Sequence, residues 1–294
     1  MKHSNIAQSV THITAHTTHV RTNPFATIGS KITIAAFILL VLLALLAPYI
    51  APYDPNAIDI TQKFAPMSAS HFFGCDHLGR DVFSRILHGA SISLGSSAII
   101  LACVLGLGIS IGGLCGFVGG WLDWVIMRVC DVFLSMPTLV LALFFVGVLG
   151  VGVGNVILAI ILTHWAWYAR IVRSIVLSLK HKEYITLSTC YGCTRLQSFR
   201  RHILRPVLSQ CVILASMDLG HMMLHIAALS FIGLGVQAPM AEWGIMLSES
   251  KDYLWSYPQL MLYPGGALFV SVVLCNLIGE NLRKFYDVPF AHTH

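Results

Sequence analysis

Two stretches of this chain are too long, too apolar and too free of charge to belong to a water-soluble fold. From Ile32 to Tyr53 there is no Asp, Glu, Lys or Arg, and from Val132 to Ala169 there is none across some 38 positions. A helix rises 1.5 Å per residue, so about 20 such residues cross a hydrocarbon core about 30 Å thick. Inside that core every backbone N–H and C=O must find its partner within the protein, which helices achieve without help from water. The first stretch therefore predicts one span over 32–53. The second is too long for one, and Gly150-x-Gly152-x-Gly154-Asn155 interrupts it, so a tight turn there predicts spans over about 124–149 and 155–172. Further apolar runs predict spans over about 92–116, 207–235 and 259–278. The composition agrees: 56% of residues are hydrophobic and 11% charged, against roughly 25% charged in an average soluble domain. The expected fold class is all-α, a polytopic membrane protein with six transmembrane helices.

Charge sets the expected orientation. With both termini on the inner side, 14 of the 18 Lys and Arg residues fall inside, all but Lys63, Arg80, Arg85 and Lys251. The positive-inside rule then makes the central basic island cytoplasmic, together with the tails 1–31 and 282–294. That island carries Lys180, Lys182, Arg195, Arg200, Arg201 and Arg205. The loops 54–90 and 236–258 are expected outside, the second with Trp243, Trp255 and Tyr257 as interfacial aromatics. The net charge of +5 is spread between apolar spans rather than along an aromatic-interleaved stripe, which argues against nucleic acid as a partner. His3, His12, His16 and His19 could scavenge metal from a disordered tail without fixed geometry. Cys190-x-x-Cys193 has no second pair or nearby His cluster and reads as incidental rather than as a zinc or redox site.

No phosphate-cradling G-x-x-x-x-G-K-[ST], no Gly-x-Ser-x-Gly elbow and no His-Glu-x-x-His helix occurs, so no catalytic constellation is expected on this chain. The chemistry-bearing residues lie within the apolar spans instead. Asp218, His221, Met222 and His225 are spaced i, i+3, i+4 and i+7 and share one helical stripe. Ionisable groups inside a bilayer are costly unless they face a path or a partner. Imidazole, thioether and carboxylate together make Asp218, His221 and His225 candidates for transient metal contact; the same stripe can equally be an interhelical hydrogen-bond cluster. His164, Trp167 and Arg170 could line that path from the fourth span, or anchor the span at an interface. Gly108-x-x-x-Gly112-x-x-x-Gly116 gives the second span a ridge for close helix packing. Arg128 and Asp131, at i and i+3, can pair, and Pro137 should kink the third span.

Three motifs carry a resemblance. Glu183-Tyr184, Gly192 and His202-Ile203-Leu204 resemble the cytoplasmic helix–Gly–helix coupling loop of type I ABC importer permeases, with Thr186-Leu187-Ser188 where the E-A-A triplet of that loop is usual. Gly74-Cys75-Asp76-His77-Leu78-Gly79-Arg80-Asp81-Val82-Phe83-Ser84-Arg85 resembles the G-T-D-x-L-G-R-D-x-x-S-R signature of the dipeptide, oligopeptide and nickel group of such permeases; its marked positions here are Asp76, Gly79, Arg80 and Asp81. Leu229-Ser230-Phe231-Ile232-Gly233-Leu234-Gly235 is similar to the same group. The runs 218–225 and 164–170 look more like its nickel-importing members than its peptide-importing ones. The resemblance spans about residues 30–285, with a permease core over 91–281 and a coupling loop over 180–206. It implies a lipid-embedded subunit of a bacterial inner membrane that pairs with a second permease and with two ABC ATPase subunits. ATP and Mg would be bound by those ATPases, with no cofactor on this chain. Glu183, Tyr184, Thr186, Gly192 and His202 would couple to them, and an extracytoplasmic binding protein would deliver the cargo. Di- or oligopeptides are the alternative cargo. A channel or secondary metal transporter acting without ATP is the alternative of another class; it would show inverted repeats with matched broken helices, and none is visible.

Overall fold

A computed structural model describes residues 28–286. The histidines of both tails, His3 to His19 and His292 and His294, lie outside the described residues. The described chain contains no β-strand and folds as α1 (Ile28–Ile50), α2 (Val82–Val118), α3 (Gly120–Ser135), α4 (Thr138–Leu149), α5 (Val153–Lys180), α6 (Glu183–Cys190), α7 (Arg195–Ser198), α8 (Leu204–Phe231), α9 (Trp243–Ser250) and α10 (Gln259–Tyr286). A π-helical turn, Phe199–Ile203, joins α7 to α8 without a break, so Arg195–Phe231 is one 37-residue rod. Among the described residues, five helical segments are long and apolar enough to cross a membrane, and the bent pair α3–α4 makes a sixth if taken as one span.

Several helices outrun the spans expected of them. α2 has 37 residues, about 55 Å at 1.5 Å each, so its first turns stand beyond a 30 Å core. They begin at Asp81, whose carboxylate accepts from the Ser84 backbone N–H at 2.8 Å and its hydroxyl at 2.7 Å and so closes the free amino end of the helix. α10 likewise continues to Tyr286, with Lys284 and Glu280 paired at 2.7 Å one turn apart.

The third span requires correction. Rather than one kinked helix over 124–149, there are two helices meeting at 94°. Proline ring atoms disfavour the α conformation in the preceding residue; Met136 accordingly sits at φ −102°, ψ 143°, which redirects the chain rather than bending it. α4, with 12 residues, is about 18 Å long and cannot cross by itself. Beyond it, Gly150 and Gly152 take positive φ, and the Asn155 side-chain amide donates to the carbonyls of Leu149 (2.9 Å) and Gly150 (3.1 Å). That closes the tight turn anticipated between the two apolar segments.

The glycine ridge of α2 meets α5. A methyl group at Gly108 would overlap Tyr168, one at Gly112 the backbone carbonyl of Ala169, and one at Gly116 the Val176 side chain at 2.8 Å. The backbones touch there, and a core of Ile100, Val104, Ile160, Tyr168, Met222 and Ile226 draws α2, α5 and α8 together. Ion pairs tie α3 to the far end of α5: Arg173 to Asp123, with Nη2–Oδ2 at 2.6 Å, and Arg170 to Asp131, which also receives Arg128 at 3.1 Å.

Gly112→Ala is therefore expected to destabilise the chain by about 1–3 kcal/mol, as overpacking does. Gly106→Ala, where a methyl would meet nothing within 4 Å, should stay within about 0.5 kcal/mol of the parent. Thermal unfolding of the two variants in detergent checks the difference.

Candidate functional site

The polar residues predicted on two separate spans come together. α8 carries Asp218, His221, Met222 and His225 along the face that looks toward α5, and α5 answers with Thr163, His164 and Trp167. These side chains line a cavity of about 320 Å³. The right-angle break between α3 and α4 places Leu134 and Thr138 on the cavity wall, a contribution the expectation of a single kinked span concealed.

Each polar group there has a defined partner. The Tyr168 hydroxyl, from α5, donates to Asp218 Oδ2 at 2.5 Å, and His221 Nδ1 lies 3.3 Å from Asp218 Oδ1. His164 Nδ1 lies 3.1 Å from the Ile160 carbonyl one turn back, and 3.0 Å from the Thr163 hydroxyl. The rings of His164 and His225 meet edge to face, 4.8 Å between centroids. His221 is the exposed member, with 58% of its side chain accessible against 17% for Asp218; Met222 is buried. Among the described residues no three His, Cys, Asp or Glu side chains are grouped to hold a metal ion. The expected trio Asp218, His221 and His225 thus shares a stripe without forming a preformed coordination shell: both Asp218 oxygens are occupied, and His225 packs on His164. Arg170 is drawn off to Asp131 and does not line the cavity. Tyr168, which holds the carboxylate, carried no predicted role; its signal was a phenol inside an apolar span, four residues from His164, where a hydroxyl needs a partner.

The signature residues form a separate, ionic site at one end of the bundle. Asp76 accepts from the backbone N–H groups of Leu78 (2.8 Å) and Arg80 (3.0 Å) and from Arg80 Nε at 2.6 Å. Gly79 turns between them with φ +76°, where any side chain would run into the Asp59 carbonyl. Asp81 caps α2 and faces His71 Nδ1 at 2.9 Å. Arg80 and Arg85 are both 1% exposed and converge on Glu249 Oε2, at 2.8 and 3.0 Å; Arg85 also reaches the Pro55 and Pro239 carbonyls. Next to them, Glu242 caps α9 through the Ile245 N–H (3.0 Å) and accepts from Ser93 on α2 (3.1 Å), while the Trp243 indole donates to the Ile86 carbonyl at 3.1 Å. Glu242 and Glu249 were not singled out in the sequence; nothing in their spacing shows that Glu249 answers arginines more than 160 positions away or that Glu242 meets a serine of α2. Burial, with Asp81, Asp76 and Asp59 nearby, pushes the Cys75 thiol up to about 11.

The basic island stands at the opposite end. α6 stops at a turn in which Gly192 takes φ +89° and the Cys193 N–H returns to the Ser188 carbonyl at 3.1 Å. Thr194 and Gln197 then open α7 with a reciprocal capping box. Tyr184 and His202 meet edge to face across the element, 6.2 Å between centroids, and Ile185 and Ile203 pack on Val172, Val176 and Val207. Glu183 is exposed and Thr186 lies within α6. Cys190 and Cys193 are free thiols.

Long apolar helices, a polar cavity between two of them and a basic helix–turn–helix at one end describe a membrane transport subunit, and comparison with known proteins shows which kind. The chain belongs to the binding-protein-dependent transport system inner membrane component family, which it matches over residues 108–287, and residues 20–66 match the N-terminal transmembrane domain of oligopeptide transport permease C. It is 46% identical to the nickel transport system permease protein NikC of Escherichia coli K12 over 90% of this chain and 95% of that one. It is 37% identical to a probable D,D-dipeptide transport system permease protein, DdpC, of the same organism, with 88% of each chain covered. With the metal-staphylopine import system permease protein CntC of Staphylococcus aureus the identity is 36%, over 88% and 90% of the two chains.

Glu249→Gln should leave the two buried guanidiniums short of their shared charge and cost about 3–5 kcal/mol, as breaking a buried ion pair does. Faster tryptic cleavage at Lys63 and alkylation of Cys75, which is 3% exposed in the intact fold, are the expected readouts.

Proposed function

We propose that this chain forms half of the translocation path of an ATP-driven importer of nickel, carried as a small chelate, with a second, related permease supplying the other half. The observation that carries the reading is the cavity between α5 and α8, where three histidines and a carboxylate stand in helices otherwise built for lipid. Such groups are kept within a membrane where something polar passes, and imidazole suits nickel as it suits zinc, copper and iron. The nickel permease relative, nearly half identical along almost its whole length, supports the same cargo.

In this reading two ABC ATPase subunits bind ATP and Mg, and no cofactor belongs to this chain. They grip the cytoplasmic element around Gly192, with Glu183, Tyr184, Thr186 and His202 in the contact. Both termini lie in the cytoplasm of a bacterial cell, and a solute-binding protein delivers cargo to the outer surface built by residues 54–90 and 236–258. Asp76, Gly79, Arg80 and Asp81 hold that surface rigid rather than touching cargo, since Arg80 is turned inward on Asp76 and Glu249, Asp81 caps α2, and Gly79 supplies the backbone turn between them. The dipeptide permease relative favours a second reading with the same machine and a peptide cargo.

Reconstituted with its partners, the His225→Ala complex is expected to lose nickel uptake about 10-fold while still assembling. Stimulation of the ATPase by a peptide-loaded and not a nickel-loaded binding protein would favour the peptide reading. Gly192→Trp, which forces a bulky side chain onto a positive φ, should leave ATP hydrolysis running while uptake falls. Unchanged uptake would count against the coupling role.

A further inference from the structure

The contacts of Asp218 bear on what the cavity can recognise. This carboxylate, partway along α8, has its two oxygens committed in different directions: Oδ2 to the Tyr168 hydroxyl of α5 at 2.5 Å, Oδ1 to Nδ1 of His221 at 3.3 Å. An ionised carboxylate only accepts hydrogen bonds. With Asp218 present as the carboxylate, Tyr168 donates to it and Nδ1 of His221 carries the imidazole proton. A neutral imidazole protonated at Nδ1 has its lone pair at Nε2, and His221 is the accessible residue of the group, on the cavity wall. Tyr168 cannot readily turn away. It is fully buried, and its Cβ is set against Gly108 of α2, where not even a methyl group would fit.

We infer that Tyr168, Asp218 and His221 form a fixed relay that presents the Nε2 lone pair of His221 to the cavity as an electron-pair donor. The relay deepens the nickel reading above and rests on it. It also narrows the cargo. Since no three metal-binding side chains are grouped among the described residues, the cavity holds no ready-made cage, and the lone pair the relay keeps aimed at a passing ion is that of His221. The cargo it fits is a metal ion that keeps most of its own ligands and has one exchangeable coordination position. Tyr168 and Asp218 are positioning residues in this account, and His221 is the group that touches cargo. A second-shell carboxylate orienting a metal-binding imidazole is a recurring arrangement, and loss of such a partner lowers affinity or activity about 10- to 100-fold.

The test uses the whole complex, reconstituted with its partner permease, ATPases and binding protein, and reads two quantities. The first is the tautomer of His221, from the nitrogen shifts of ¹⁵N-imidazole-labelled complex, assigned by the signal lost in His221→Gln. The second is uptake of nickel supplied with free histidine as chelator. The parent is expected to show the Nδ1–H form. Asp218→Asn and Tyr168→Phe should each erode it toward a mixture and lower nickel uptake about 10-fold, and His221→Gln should lower it at least as far.

A parent complex whose His221 is protonated at Nε2 overturns the relay, whatever the uptake values. So does a tautomer unmoved by Asp218→Asn. Full uptake in His221→Gln overturns the recognition role even if the tautomer is as expected. The path itself is tested apart from the relay by His225→Ala, so a failed relay with uptake still lost in that variant leaves the nickel path standing. Loss of neither would remove both.

Discussion

The close approach of α2 and α5 governs the rest of the molecule. Between lipid-embedded helices there is little hydrophobic drive, since acyl chains are as apolar as leucine, and association depends on contact and packing. Gly108, Gly112 and Gly116 provide it by letting the two backbones touch. That contact fixes the rotation of α5 about its own axis. Tyr168 is thereby pressed into the interior, its hydroxyl meets Asp218, and His164 faces His225 across the same gap. A rotation of α5 by one residue, about 100°, would carry the histidine out of the cavity and leave the carboxylate without its phenol.

Polar groups sort into three zones with different physical roles. At the end bearing residues 51–81, two buried arginines and Glu249 lock a loop to α9 and to the first turns of α2. Such a network contributes more to specifying one geometry than to net stability, because desolvating the ions offsets most of their attraction. In the middle, the carboxylate and imidazoles are each held by one or two partners and still border open space. At the opposite end the arginines Arg195, Arg200, Arg201 and Arg205 stay exposed on a scaffold organised from beneath by Ile185, Phe199 and Ile203.

Much of this was readable from the residues. Uncharged apolar runs marked the order of the long apolar helices, five of them as expected and the third span as a bent pair instead; the glycine spacing marked the α2 packing ridge, and the i, i+3, i+7 spacing placed Asp218, His221 and His225 on one stripe. Other features resisted. Pro137 was expected to bend a helix and instead divides it, because its effect on Met136 is a steric choice between two backbone wells rather than a graded deflection. The arginines of the signature region were visible, but their counterion Glu249 was not, since only the folded chain brings positions 80, 85 and 249 together. Tyr168 escaped for a related reason: its importance arises from a partner on another helix, and a tyrosine in an apolar run looks like ordinary core.

The uninterrupted rod from Arg195 to Phe231 has a mechanical consequence. The basic element and the imidazoles of α8 belong to the same continuous helix, so a displacement at Arg195 reaches His225, about 45 Å away by helical rise, without crossing a loop that could absorb it. The π turn at Phe199–Ile203 is the one place where the hydrogen-bond ladder of the rod is widened, and a widened turn is where an otherwise stiff lever can flex. A force applied to the basic element would therefore be carried along the rod toward Asp218 and His225, with the π turn beside Tyr184 and His202 as the point where it could bend.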